Sequence, residues 1–598
     1  MSAPIKTNQL TYTFDKELFS KNYDIFCIRT SEKHFKNGAY IIDAPLLSNN
    51  VCSVLFKSGR EIFVLMKSND SNKSLLKNAI LKEDGADRIT ITRVTPNSLK
   101  DDIVFQLMLN SLGNYESPLL KFNNLTGHLY CFHPNWLIRG RKSEADVVFK
   151  VPCLELRLSS EFRLNMDVHT FTSELLRNKI EFKKKRFDEY PKYIFSAHNT
   201  LRRKLKDDVG YSFIMRQTKN AKTEIAFLDI QNIDRFNQSK MGILTTVLEN
   251  FNDRFSSIAH LDFESITDYK ALDYTRSVAN ENKQAISDLL SIKPIKIVDC
   301  IDDEYSKIFC KKICDLLLSK YGIKTSCGKR VAKDHLNIRV IHNAAFYADS
   351  DDPHRVFNDV VVQHITFEDF SECSEFAIST VIHEMLIKAD LVKQKISLFD
   401  WNTLGLKDDI DFGIEVTDKQ NTKYIFMTIH PDGTFNISEQ TLNLFEANKY
   451  NQCVEIFENA KMNSVKVHGI IRDALGNINI IKDTGWFTIP EIYSIKDELA
   501  NGNTKLRGKE KRNELLSSCL DIKMFNDGVS EYYFVGTIGN GMRWLINRAA
   551  NIRKIEPFED SILMFEKLLP LMNVTFVHNG QLTIIPFPFK YLREHLNK

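Results

Sequence analysis

Five polar residues in the middle of the chain have the types and spacing needed to hold a phosphate group. Arg355 precedes Gln363 and His364, and Lys388 and Lys393 follow further along the chain. A terminal phosphate carries up to about two negative charges, so several cations and N–H donors must converge to replace its water. The residues therefore predict an anion site. The alternative is that Gln363 and His364 simply end a strand and that both lysines lie on an exposed helix face.

The segment that must position these side chains has the pattern of an α/β unit. A buried strand is predicted at 295–301, and Asp302 or Asp303 can cap the helix that follows and continues to Gly322. Further strands are predicted at 337–342 and 359–367, and a second helix at 376–387. Alternation of this kind predicts a Rossmann-like sheet, in which ligands bind at strand ends.

Two other basic regions have compositions that suit the backbone of a nucleic acid. The stretch from 171 to 210 interleaves aromatic rings with cations, and glycines at 536–541 precede further arginines. The residues singled out as backbone contacts are Lys183, Lys184, Lys185, Arg186, Arg202, Arg203, Arg543 and Arg548. An exposed amphipathic helix explains the first region equally well, and a tight structural turn explains the glycines.

Two carboxylates in the last third of the chain raise the question of nuclease chemistry. Strands predicted at 411–418, 423–429 and 433–437 form a meander, and another strand follows at 465–473. Glu415 lies on the first of these strands and Asp473 ends the last one. Two-metal hydrolysis needs three or four converging ligands, so these two acids are not sufficient. We therefore predict no catalytic residues and no catalytic metal, and interpret Glu415 and Asp473 as degenerate remnants.

Size and composition indicate a large multidomain protein. The 598 residues suggest about three to five folding units, and 43% hydrophobic with 26% charged residues is a globular balance. The net charge is only +3, so attraction to polyanions depends on local clusters. Eleven scattered cysteines, no signal pattern and no long apolar run lead us to expect a cytoplasmic protein without a membrane partner.

The order of these parts resembles the prokaryotic Argonaute family, best over residues 150–170 and 290–480. Members place a basic residue, a Gln and two Lys in the order seen at Arg355, Gln363, Lys388 and Lys393, and have counterparts of Gly413-Ile414-Glu415 and Arg472-Asp473-Ala474. The resemblance implies an α/β multidomain fold: a β-rich N-terminal lobe (1–165), a basic PAZ-like or linker region (166–290), a Rossmann-like MID domain (291–400) and a ribonuclease-H-like PIWI domain (401–598).

The resemblance also implies a function. It is strongest to the catalytically inactive Argonaute-like proteins of bacterial plasmid-defence modules, and implies a guide strand, a short DNA, whose 5′ phosphate lies at Arg355, Gln363, His364, Lys388 and Lys393. Complementary target DNA from an invading plasmid and a helicase-nuclease protein are the implied partners. No cofactor is required, although a Mg²⁺ ion is allowed at the guide 5′ phosphate. The chain departs from the family where a Tyr usually precedes the basic residue, because 351–354 reads Asp-Asp-Pro-His.

Two other functions are compatible with the sequence. The first is an active guided nuclease that uses Glu415 and Asp473 as Mg²⁺ ligands. The second is a protein-interaction scaffold with no nucleic-acid role, in which the basic stretches are solvated faces.

Overall fold

A computed structural model describes most of the chain. The described residues are 4–31, 51–58, 60–81, 88–114, 121–125, 127–140, 147–179, 191–195, 201–204, 208–215, 225–272, 286–290, 293–343, 346–347, 357, 360–368, 375–418, 421–440, 448–463, 465–502, 514–516, 522–535, 551–572 and 586–596.

Strands and helices alternate irregularly along the chain. The strands are β1 (Ile5–Phe14), β2 (Tyr23–Thr30), β3 (Val51–Ser58), β4 (Glu61–Lys67), β5 (Ile89–Val94), β6 (Lys121–Leu125), β7 (His128–Phe132), β8 (Ile138–Arg139), β9 (Val148–Leu158), β10 (Leu164–Ser173), β11 (Tyr193–Phe195), β12 (Leu201–Arg203), β13 (Phe213–Met215), β14 (Ala259–Ile266), β15 (Lys270–Leu272), β16 (Ile295–Asp299), β17 (Ser326–Gly328), β18 (Leu336–Ile341), β19 (Val362–Thr366), β20 (Ile410–Asp418), β21 (Asn421–Ile429), β22 (Phe435–Gln440), β23 (Val467–Asp473), β24 (Ile478–Ile489), β25 (Ile522–Asn526), β26 (Glu531–Val535) and β27 (Asn551–Pro557). The helices are α1 (Lys16–Asn22), α2 (Asn72–Leu81), α3 (Asp101–Ser111), α4 (Ile233–Asn237), α5 (Lys240–Arg254), α6 (Glu304–Tyr321), α7 (Glu375–Lys393), α8 (Asn451–Met462), α9 (Ile492–Ala500), α10 (Phe565–Met572) and α11 (Pro588–Leu596).

The chain divides into two compact units, and the first is rich in strands. It comprises Met1–Thr267, Trp486–Leu520 and Asn540–Ala550. One sheet has the order β12-β11-β13-β10-β9-β7-β6, with β8 beside β9, and a second has the order β3-β4-β2-β5. Helix α3 is buried along almost its whole length, and its buried polar side chains Gln106 and Asn110 are hydrogen-bonded to each other and to backbone carbonyls. The β-rich N-terminal part predicted from the sequence is confirmed.

The second unit contains the parallel sheet that the α/β pattern predicted. This unit comprises Asp268–Gly485, Asp521–Gly539 and Asn551–Lys598. Its parallel sheet has the order β17-β16-β18-β19. Asp303 caps α6 by accepting a hydrogen bond from the backbone N–H of Ser306, and Gly322 ends the helix in the left-handed region. The long helix α7 packs on β19 and on α6.

A second sheet of the same unit contains the predicted meander. Its order is β15-β25-β26-β27-β24-β23-β20-β21-β22, and β20, β21 and β22 are antiparallel neighbours. Strand β23 follows helix α8 and lies beside β20, but it runs antiparallel to β20. A strand that returns through a helix more often pairs in parallel, so this direction was not evident from the sequence. The helices of the parallel sheet and the inner face of this second sheet share one hydrophobic core. The mixed α/β fold class is therefore confirmed.

The length and polarity of the helices bear on the expectation that the protein has no membrane partner. Within the described part of the chain, no helix is both long and apolar enough to cross a membrane.

Candidate functional site

The structure brings Gln363 and Lys388 into direct contact. Gln363 is the second residue of β19, which forms one edge of the parallel sheet. The Nζ atom of Lys388, on α7, donates a hydrogen bond to Gln363 Oε1 at 2.6 Å and another to the Val362 carbonyl oxygen at 3.3 Å. A strand and the helix packed on it therefore present a cation and a carboxamide at one place.

A carboxylate that the sequence analysis did not assign to the site completes this contact. Glu384 lies one helical turn before Lys388, and its Oε2 atom accepts a hydrogen bond from Gln363 Nε2 at 2.5 Å. Residues four apart share one face of a helix, so the i, i+4 spacing was the available signal. Gln363 thus bridges an acid and a base of the same helix.

The last helix of the chain adds a second pair of opposite charges. Lys590 and Glu594 lie four residues apart on α11, which packs against α7. The Tyr591 hydroxyl donates a hydrogen bond to Asp390 Oδ2 at 2.7 Å and so ties the two helices together. We call Gln363, Glu384, Lys388, Lys590 and Glu594 the Gln363 cluster. Its formal charges sum to zero.

Burial shifts the pKa of each ionisable member of the Gln363 cluster in the direction that favours its neutral form. It lowers the pKa of Lys388, and the charges of Glu594 and Glu384 only partly oppose this shift. It also lowers the pKa of Lys590. Conversely, it raises the pKa of Glu384 and of Glu594, although both lysines oppose the shift. Half-buried charges of this kind lose hydration, and they are commoner at functional sites than elsewhere.

The other residues predicted for this site lie elsewhere or are not described. His364 follows Gln363 on the strand and therefore faces the other side, where its Nε2 lies 3.0 Å from Arg339 Nη1. Lys393 is exposed at the end of α7. It is five residues beyond Lys388, which is roughly 140° around the helix axis. Arg355 lies outside the described residues.

The residues predicted to contact a nucleic-acid backbone lie mostly outside the described part of the chain. Arg202 and Arg203 are on β12, opposite Ile194 and Tyr193 of β11, but their side chains are not described. The residues outside the described ranges are Lys183, Lys184, Lys185, Arg186, Arg543 and Arg548.

An exposed aromatic ring lies just beyond the end of β18, at the carboxyl edge of the parallel sheet. The Phe346 ring is 62% exposed and stacks on His342, with ring centroids 3.7 Å apart. Glu368, which follows β19, holds this imidazole through a 2.5 Å contact between Oε1 and Nδ1. Exposed rings fixed in this way can stack on nucleobases. No signal in the sequence pointed to this feature, because Glu368 lies 26 residues from the His342 that it contacts.

The two predicted carboxylate remnants do not converge. Asp473 lies opposite Ile410 in the register of β20 and β23, five residues before Glu415. That spacing corresponds to roughly 16 Å along the strand. Successive side chains alternate between faces, so Glu415 and the position paired with Asp473 are on opposite faces of the sheet. Lys461 contacts Glu415 at 3.5 Å, and both carboxylate oxygens of Asp473 accept hydrogen bonds from Asn477.

A third acid, Asp411, lies between these two but is neutralised by the protein itself. It is 3% exposed and directly opposite Arg472, whose Nη1 lies 3.3 Å from Asp411 Oδ2. Lys449 Nζ contacts both carboxylate oxygens at 2.9 and 3.1 Å. Thr428 and Tyr450 donate hydroxyl hydrogen bonds to Oδ1. A cation brought to this carboxylate would have to displace two resident ones.

No set of three or more His, Cys, Asp or Glu side chains among the described residues has the arrangement of a metal site. His383 and Glu384 begin like a zinc-protease helix, and burial, aided by Lys590 and Lys320, lowers the pKa of His383 to about 4, which favours the neutral imidazole. The second histidine of that motif is nevertheless absent, since residue 387 is Ile.

Comparison with known proteins gives matches by structure alone. No protein-family model and no curated protein matches the chain. The chain is similar to Marinitoga piezophila Argonaute, solved with a 5′-OH guide RNA and target DNA, at 11% identity and a TM-score of 0.40, covering 98% of this chain and 97% of that one. It is also similar to Drosophila Piwi, at 11% identity and a TM-score of 0.39, covering 99% and 96%.

Proposed function

We propose that this chain is an Argonaute-like protein that binds a guide strand by its 5′-phosphorylated end and recognises a complementary target by base pairing. The observation that carries the proposal is the Gln363 cluster. A half-buried ammonium, Lys388, is held against the carboxamide of Gln363 at the start of an edge strand. A terminal phosphate can replace the Gln363 oxygen as the partner of Lys388 and gain a charge-assisted hydrogen bond.

The cost of keeping these charges half-buried supports a ligand-binding role. Removing a carboxylate or an ammonium from water is unfavourable by several kcal/mol per ion, and pairing offsets this only where the geometry and the remaining hydrogen bonds are good. A purely structural contact between α7 and α11 would be at least as stable with apolar residues, as the buried leucines and isoleucines elsewhere in these helices show. The half-burial of these charged side chains is therefore better explained by a ligand that binds to them.

A separate feature, the stacked Phe346 ring at the carboxyl edge of the parallel sheet, supports binding of an unpaired nucleotide there, whereas Gln363 lies near the start of β19. Its exposed face can take a nucleobase, and base–aromatic stacking is worth about 1–3 kcal/mol. Stacking has no strong sequence preference, which suits a protein whose sequence choice comes from its guide.

The proposal extends to the finer biological role. We propose that the guide is a short DNA, that the targets are invading plasmids in the bacterial cytoplasm, and that a helicase-nuclease partner destroys them. The guide and target rest on the resemblance seen in the sequence. The partner is motivated by the absence of converging acids among the described residues of β20 and β23, because a guided protein that does not cleave needs a partner to destroy the target. A Mg²⁺ ion beside the guide 5′ phosphate belongs to the same proposal.

The most informative experiment is to identify nucleic acid that copurifies with the protein. We expect short strands of uniform length that carry a 5′ phosphate, and enzymes specific for DNA or RNA will identify the sugar. Protein that is free of nucleic acid, and that binds oligonucleotides no better than another polyanion at moderate salt, would contradict the proposal and favour an interaction scaffold.

The rival nuclease function makes a separate prediction. Loaded protein should not cleave a complementary target when Mg²⁺ is added, because Glu415 and Asp473 are too far apart to share metal ions and Lys449 neutralises Asp411. Incubation of the guide-loaded protein with labelled target measures this directly. Cleavage that requires Mg²⁺ and disappears in Asp473→Ala would establish the nuclease instead.

A further inference from the structure

Two cysteines of the parallel-sheet region lie close enough to form a bond with each other. Cys314 is on α6 and Cys327 is the central residue of β17, and their Sγ atoms are 3.4 Å apart. A disulfide bond is about 2 Å long, so a small side-chain rotation would close this gap. We infer that Cys314 and Cys327 are an oxidisable thiol pair that a small-molecule disulfide converts to an intramolecular disulfide.

Accessibility supports the inference. Strand β17 is an outer strand of the parallel sheet, Cys327 is exposed, and Cys314 is partly exposed. Cys310 lies one helical turn before Cys314, but it is buried, and burial raises its pKa to about 12. A buried thiol is out of reach of a dissolved disulfide and is inert. Cys314 and Cys327 therefore differ from Cys310 in their access to solvent.

The chemistry requires one oxidant, and glutathione disulfide is a suitable one. The thiolate of one cysteine attacks a sulfur of glutathione disulfide, forms a mixed disulfide and releases one glutathione thiolate. The second cysteine then loses its proton and attacks the protein sulfur of the mixed disulfide, which releases the second glutathione. The two protein thiols are oxidised by two electrons, and glutathione disulfide is reduced to two glutathione molecules.

The ionisation of Cys327 sets the pH dependence of this reaction. Burial, and then the hydrogen bond with Cys314, raise the pKa of Cys327 to about 11. Only the thiolate is nucleophilic, so the fraction of reactive Cys327 increases with pH up to that value. Disulfide formation should therefore be faster at about pH 9 than at about pH 7.

Peptide mapping of the full-length protein tests the inference, because trypsin separates the four cysteines of this region. Cleavage after lysine places Cys300, Cys310, Cys314 and Cys327 in peptides 297–307, 308–311, 313–320 and 325–329. After treatment with glutathione disulfide and alkylation of the remaining thiols, we expect peptides 313–320 and 325–329 to be linked. Reduction with dithiothreitol should release them.

Single serine substitutions provide the controls. In Cys327→Ser, the linked species should disappear and the glutathione adduct should accumulate on the peptide of Cys314. Cys300→Ser removes another exposed thiol of the same sheet and should leave the linkage unchanged. Failure of wild-type protein to give the linked peptides even at about pH 9, or loss of the linkage in Cys300→Ser, would overturn the inference. Neither outcome depends on whether the protein binds nucleic acid.

Discussion

Replacing Lys388 with Met should lower the affinity of the protein for a 5′-phosphorylated oligonucleotide by about 10- to 100-fold, because a hydrogen bond between a charged pair contributes about 1.5–3 kcal/mol. Met preserves the length and apolar stem of the side chain, so its packing in α7 should survive. The substitution removes the donor to Gln363 Oε1 and to the Val362 carbonyl. Fluorescence anisotropy with labelled strands at fixed salt measures the change.

The comparison that identifies the contact uses two strand ends and one control variant. The affinity for the same strand with a 5′ hydroxyl should fall much less, since the phosphate is the group that Lys388 binds. Lys311→Met changes the charge equally on the exposed face of α6 and should have little effect on either strand. Equal weakening of both strands by Lys388→Met would show that this lysine does not recognise the terminal phosphate.

The central contact of the Gln363 cluster was predictable from sequence because its parts are local. An edge strand that contains Gln363 and a helix that contains Lys388 are consecutive elements, and a helix that follows a parallel strand packs back on its sheet. Glu384 shares a face with Lys388 by simple spacing and could have been included. Lys590 and Glu594 could not have been included, because α11 is distant from α7 in the sequence and no local pattern predicts that the two helices pack together.

The acids of the antiparallel sheet show a different limit of prediction from sequence. Motif similarity selected Glu415 and Asp473, but strand register and face alternation decide whether two acids meet, and the register places Asp473 opposite Ile410. Asp411 is the residue that faces Arg472 across the strands. Its partner Lys449 comes from a connection beyond β22, so the ion pair depends on how the chain returns to the sheet. Sequence analysis could recognise the acids but not their partners.

The balance of charge in the Gln363 cluster has a functional consequence. Two carboxylates, Glu384 and Glu594, offset two ammonium groups. Burial raises the pKa of both carboxylates, Glu384 raises that of Glu594 further, and both lysines oppose these shifts. A phosphate with up to about two negative charges is attracted by Lys388 and Lys590 but repelled by Glu384, which contacts the same Gln363 side chain. Glu384 should therefore limit the affinity for phosphorylated ends.

Glu384→Gln should raise the affinity for a 5′-phosphorylated strand on the order of tenfold and leave the affinity for a 5′-hydroxyl strand nearly unchanged. The amide keeps the acceptor for Gln363 Nε2 and removes one negative charge. Two unit charges about 8 Å apart interact by about 2 kcal/mol at an effective dielectric constant of about 20, which is the size of the repulsion removed. Competition between the two strand ends on one protein preparation measures the ratio without an absolute affinity.

The gain in affinity should come from removing the Glu384 carboxylate and not from the change in the net charge of the protein. Glu304→Gln removes the same charge from the exposed first turn of α6 and should not alter the ratio between the two ends. In the double variant with Lys388→Met, the gain from Glu384→Gln should shrink, because the phosphate that Glu384 repels is held in place by Lys388. If Glu384→Gln raised the affinity equally with and without Lys388, the two residues would act independently. The bound strand end would then lie away from Gln363.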